Sequence, residues 1–84
     1  MGGNKTRDGL KLSRVVKMIS ELPGVEIRDG TSHPFVAMAP GQRACPLATS
    51  TDVKKMVVPW IEQFTDMSRS DIYTSLRNGE WYRN

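Results

Sequence analysis

The stretch Val25-Glu26-Ile27-Arg28-Asp29-Gly30-Thr31-Ser32-His33-Pro34-Phe35-Val36-Ala37-Met38 decides the architecture. Its first four residues alternate apolar and charged, the pattern of a half-buried strand. Asp29 to Ser32 is rich in turn formers, and Phe35–Met38 is a second apolar run. Pro34 is tolerable only at a strand start or on an edge, because it has no N–H for a ladder. So short a link makes the two strands antiparallel. Pro40-Gly41 marks another turn, and Arg43-Ala44-Cys45-Pro46-Leu47 reads as a short third strand ending near Pro46.

On the N-terminal side, Leu12, Val15, Val16, Ile19 and Leu22 recur at helical spacing. Ser13 is the expected N-cap and Pro23-Gly24 the stop, giving a first helix over about residues 13–22. On the C-terminal side, Val53, Met56, Val57, Trp60, Ile61 and Phe64 keep a helical period that Pro59 interrupts. Proline is welcome in a first helical turn but clashes in an interior. A second helix is therefore expected from Val57 or Val58 to about Thr65, with a longer kinked helix from Val53 as the alternative. Ser68-Arg69-Ser70-Asp71 resembles a capping box, Met67 and Ile72 stand at the staple positions, and Gly79 is the stop of a third helix. Ile72, Tyr73 and Leu76 form its buried stripe. The order is helix, three strands, helix, helix. Helices covering one face of a three-stranded antiparallel sheet make a small α+β domain over residues 10–79. Residues 1–9 lack apolar periodicity and are expected to be disordered; residues 80–84 form a C-terminal tail.

The chain has 84 residues and a formal net charge of +3. A domain of this size has a small core, so a shallow surface site or a large partner fits better than a deep cavity. Lys5, Arg7, Lys11, Arg14 and Lys17 crowd the first twenty positions, and Lys54-Lys55 is a second basic pair. Such faces attract phosphate backbones or acidic partners, although a solvated helix face looks the same in sequence. The single Cys45 excludes an internal disulfide and suits the cytoplasm. One Cys and one His do not make a structural zinc site, so no metal or other cofactor is expected. No apolar run is long enough to span a membrane, and none resembles a secretory signal. Met1 to Thr6 formally fits a myristoylation pattern, a short and loose one better read as a tail.

His33 is the only histidine. It can exchange a proton near neutrality, because the ordinary histidine pKa is about 6.5. The bland alternative is a surface histidine in a turn. Cys45 with His33 might suggest a nucleophile pair, yet Cys45 lies in a strand pattern and suits a small buried apolar role. Asp71 has a capping role and Asp66 reads as an exposed loop residue. Trp60 fits the core stripe, and Trp81 and Tyr82 could stack on bases or belong to a frayed tail. No phosphate-binding loop is present.

Leu12 to Met18, Arg28 to His33, Gly41 to Pro46, and Lys54-Lys55 before a helix together resemble the HicA toxins, in matching order over roughly residues 10–77. That resemblance implies a fold like the double-stranded RNA-binding domain. It implies an mRNA interferase, a metal-independent endoribonuclease, encoded beside an antitoxin partner (HicB-like). His33 then matches the family's catalytic histidine. Arg28, Gly30, Thr31, Ser32, Lys54 and Lys55 fall at RNA-binding positions. This chain has Thr31 where the family usually has Gly, Pro34 after the histidine, and Ala48 where a second histidine is frequent. A non-catalytic RNA-binding module on the same scaffold is the alternative.

Overall fold

The computed structural model describes residues 4–29 and 35–81. Three helices and a three-stranded antiparallel sheet follow one another as α1 (Leu12–Ser20), β1 (Glu26–Arg28), β2 (Phe35–Met38), β3 (Cys45–Leu47), a π-turn (Val53–Val57), α2 (Val58–Glu62) and α3 (Arg69–Asn78). The expected α-β-β-β-α-α order is the observed one.

The sheet runs β1-β2-β3, with Ile27 opposite Ala37 and Ala37 opposite Cys45. Strand side chains alternate between faces, so this row and the Phe35–Leu47 pair face the helices. Ala37, Cys45 and Leu47 are buried there against Val15 and Ile19 of α1, Val57 and Ile61 of the second helical segment, and Ile72 and Leu76 of α3, all within one core. The other face carries Glu26, Arg28, Val36, Met38 and Pro46, all exposed or half-buried. Pro46 on edge strand β3 fits the rule that sheets tolerate proline where no ladder N–H is required.

α1 starts one residue before the expected position, and Ser13 is not its cap. The N-cap is Lys11, whose side chain makes no capping bond. The Leu12 N–H is met instead by the carbonyl of Asn4 at 2.8 Å. Residues 1–9 were expected to be disordered, but Asn4 to Gly9 form a turn laid on the domain. Lys5 bridges Lys11, Thr6 is buried, and the Arg7 N–H donates to the Thr51 carbonyl at 2.8 Å. A segment without apolar periodicity can still be ordered by backbone hydrogen bonds, which composition does not reveal.

The Pro59 conflict is resolved by a π-turn. Asp52 caps it, its side chain accepting from Lys55 N–H at 3.1 Å, and the Val58 N–H reaches back five residues to Val53 O. The chain is therefore helical from Val53, with a change of helix type where the expected kink stood. Pro59 falls in the first turn of α2, where its missing N–H is harmless. The wider turn also shifts the register, so Val53, Val57 and Val58 are buried while Met56 is left 44% exposed. Trp60 packs edge-on to Phe64 at 5.0 Å, and its N–H donates to Arg43 O at 2.7 Å.

α3 follows its sequence signals. Ser68 accepts from Asp71 N–H at 3.1 Å, and Gly79 closes the helix at φ 81°. An added Cβ on Gly79 would lie 3.0 Å from the Arg14 Nε. Gly79→Ala is therefore expected to cost about 1–2 kcal/mol, the penalty for a Cβ in left-handed backbone, measurable as a lower urea midpoint with an unchanged m-value. Beyond α3, Trp81 is half-buried and donates its indole N–H to Met18 O at 2.9 Å, so this part of the tail is docked on α1.

Candidate nucleic-acid interface

Antiparallel pairing brings three chain positions to one end of the sheet. β1 finishes there at Arg28, β2 begins there at Phe35, and β3 finishes there at Leu47. The link carrying Gly30, Thr31, Ser32 and His33 joins β1 to β2 at this end, but those residues lie outside the described residues. The polypeptide leaving β3 reaches Lys54 and Lys55 a few residues later.

Arg28 is exposed on the open face of the sheet. Its guanidinium donates to the Glu26 carboxylate, Nη2 to Oε1 being 3.0 Å, with both side chains 62% exposed. An exposed pair of this kind contributes little to stability, so the guanidinium is readily surrendered to a competing anion. Lys54 and Lys55 are exposed on the π-turn. The Lys54 ammonium stands 5.9 Å above the Tyr73 ring, where the quadrupole attracts a cation. Arg28 thus closes β1 at one end of the sheet, while Lys54 and Lys55 stand on the π-turn that follows β3, Lys54 beside Tyr73.

Asp8 organises this region, and sequence reading left it in a tail. Its Oδ1 accepts from Val53 N–H at 3.0 Å and from the Thr6 hydroxyl at 2.8 Å. Its Oδ2 accepts from Lys54 N–H at 3.0 Å and from the Tyr73 hydroxyl at 3.2 Å. Burial is the largest single influence on this carboxyl and pushes its pKa up. The hydrogen bonds from Val53, Thr6 and Lys54 together outweigh it and hold the pKa below the ordinary aspartate value. Burial, with the charge and hydrogen bond of Asp8, pushes Tyr73 up. The Asp8-Gly9 turn signal was present in the sequence, but nothing local pointed to a partner 45 residues away.

Cys45 is buried in β3, and burial pushes its thiol up to about 11. A buried thiol so disfavoured as thiolate suits the small apolar role better than a nucleophilic one. Relative to an ordinary thiol at 9.0, this shift leaves ~100-fold less thiolate at neutral pH. Iodoacetamide should therefore label the folded protein about 100-fold more slowly than the urea-unfolded chain, read by mass spectrometry. Among the described residues there is no group of His, Cys, Asp and Glu that could hold a metal ion, and no helix long and apolar enough to cross a membrane. No protein-family model, curated protein or solved structure shows a significant match to this chain.

Proposed function

We propose that the chain is an RNA-binding endoribonuclease resembling the HicA mRNA interferases, the toxin half of a toxin–antitoxin pair. The observation that carries the reading is the shared end of the sheet. β1 closes there with Arg28, β2 opens there after the segment that contains the lone histidine, and β3 ends there before the chain runs on to Lys54 and Lys55. The helix–strand–strand–strand–helix order is also the one the resemblance implies.

RNA carries its own nucleophile. The 2′-hydroxyl attacks the adjacent phosphorus, the P–O5′ bond breaks, and a 2′,3′-cyclic phosphate and a 5′-hydroxyl result. His33 takes the 2′-proton as general base. Arg28, Lys54 and Lys55 offset the charge that grows on the phosphorane oxygens. Gly30, Thr31 and Ser32 carry the backbone of the substrate-contacting link, and Ser32 or a lysine supplies the proton to the leaving oxygen. A HicB-like antitoxin would neutralise the toxin by covering this basic end with an acidic surface.

Inducible expression of the parent and of His33→Ala, with RNA integrity followed over time, tests the proposal. Growth arrest and new RNA ends ending in cyclic phosphate are expected from the parent alone. Equal cleavage by both would sink it. RNA binding without cleavage by the parent would leave the non-catalytic RNA-binding module.

A further inference from the structure

A second set of cations lies on the helical side of the molecule, away from the open face of the sheet. The N-terminal turn, α1 and α3 enclose two adjoining clefts, of about 280 and 370 Å³, which share Lys11 and Arg14 in their walls. Arg77 of α3 lines the first and Lys17 of α1 the second. Lys11, Arg14 and Lys17 are spaced three residues apart, so they rise along one side of α1 over about 9 Å. The Arg77 guanidinium lies 6.0 Å from the Tyr73 ring centre, on the same ring that carries Lys54 at 5.9 Å. Lys54 thus stands beside Arg77 on Tyr73, and Arg77, Arg14, Lys11 and Lys17 line the α1–α3 clefts.

None of these cations makes an ion pair among the described residues. The ion pairs found among the described residues are Arg28–Glu26 and Arg69–Glu62, neither of them in the cleft. Two carboxylates line it. Asp8 keeps its negative charge while accepting from two backbone N–H groups and two hydroxyls, and Glu21 lines the second cleft with Lys17, so the four cations Lys11, Arg14, Lys17 and Arg77 face two carboxylates. Arg14 gives Nη1 to the Arg77 carbonyl at 3.3 Å, a bond that sets one arginine beside the other at the C-terminal end of α3. Guanidinium forks match phosphate oxygens in pairs, and lysines add point charge along the track.

We infer that the α1–α3 cleft is a phosphate-binding track that holds the sugar–phosphate backbone of a single RNA strand leading away from the proposed cleavage site. This rests on the RNA-cleaving reading for the nature of the ligand, and adds the surface that supplies most of the affinity. A cleft in which four cations outnumber two carboxylates keeps a net positive charge along its length and fits a linear polyanion. Each phosphate contact releases counterions, contributing about 0.7 to the slope of log affinity against log salt for a single strand.

The test uses the full chain, a non-cleavable 2′-O-methyl oligonucleotide and fluorescence anisotropy across a salt series. Lys11→Gln/Lys17→Gln/Arg77→Gln removes three cations whose side chains take no part in the hydrogen bonds of the fold. A charge-matched control, Arg7→Gln/Arg43→Gln/Arg69→Gln, removes three exposed cations that do not line the cleft. The cleft variant is expected to lose about 2 from the slope and roughly 100-fold in affinity near 0.1 M salt, and the control much less. Circular dichroism melts establish that both are folded. Equal losses in the two variants, or unchanged binding in the cleft variant, would overturn the track. Competition by poly-glutamate as effective as RNA at matched charge would also overturn it, in favour of an acidic protein partner. Cleavage of ordinary RNA by the parent is scored separately. A parent that binds through the cleft and never cuts defeats the enzymatic reading alone, whereas a parent that cuts with the cleft variant binding normally defeats the track alone.

Discussion

Replacing His33 by alanine is expected to slow RNA cleavage by about 10²–10⁴-fold while leaving RNA affinity within a few-fold of the parent, the usual scale for removing a general acid–base group. The reason for so large a loss is that the chain contains no other histidine. Two other candidate bases are poorly suited. Cys45 is buried with its thiol pushed up to about 11, and the Asp8 carboxylate is held low by the donors around it. The lysine and arginine side chains serve the phosphate rather than the 2′-hydroxyl. The loss should therefore fall on the single-turnover rate and not on the dissociation constant, because the cations that bind phosphate remain. Equal single-turnover rates for the two proteins would remove His33 from the chemistry.

Asp8→Ala should lower stability by about 2–3 kcal/mol. That figure combines a lost cap, typically about 1 kcal/mol, with other hydrogen bonds to a charged acceptor. The carboxylate satisfies the Val53 and Lys54 N–H groups at the start of the π-turn, the Thr6 hydroxyl and the Tyr73 hydroxyl. Alanine leaves all four donors to water and loosens the N-terminal turn from the π-turn and α3 together. In a domain this small the melting temperature should fall by roughly 10 °C. Asp8→Asn retains one carbonyl acceptor and should fall between parent and alanine.

The pH dependence has a definite sign. The folded-state pKa of Asp8 lies below its unfolded value, so the folded state binds the proton less readily. Its electrostatic contribution is full above the unfolded aspartate pKa, about 3.9, and is lost as pH falls through the lower folded value. The stability gap between parent and Asp8→Ala should accordingly be constant from pH 5 to 7, within about 0.5 kcal/mol, and narrow below about pH 4. Urea unfolding at several pH values measures it. A gap that widened toward acid would contradict the arrangement around the carboxylate.

Much of the fold was legible because its signals are local. The 2-residue alternation of Val25 to Arg28, the apolar spacing of Leu12 to Ile19, the Ser68 cap and the left-handed Gly79 each act within a few residues of the position they define. The errors share a different origin. Ser13 was read as a cap because its type and place were right, but Asn4 had already supplied the acceptor from outside the helix. Met56 shares the helical period of Val53, Val57 and Trp60, yet the π-turn that accommodates Pro59 leaves it exposed. Of the proposed site, Lys54 and Lys55 stand out in sequence as a basic pair, whereas Arg28 enters only through the family resemblance. Asp8, Tyr73 and Arg77 do not stand out, since each takes its meaning from a neighbour distant in sequence.

The sequence by itself determined the element types and their order, the single sheet with one covered face, the absence of an internal disulfide, and the basic character of the chain. Only the tertiary structure decided that Asn4 to Gly9 form part of the domain, that Asp8 caps a segment 45 residues away, and that Trp81 docks on α1. It also decided that the α1 cations share a cleft with Arg77. The physical reason lies in what each level encodes. Apolar periodicity and capping reflect forces between residues close along the chain, and leave a pattern that can be read in a line. A carboxylate's hydrogen-bond partners and the convergence of like charges depend on which surfaces the packed core brings together, and no local pattern records that.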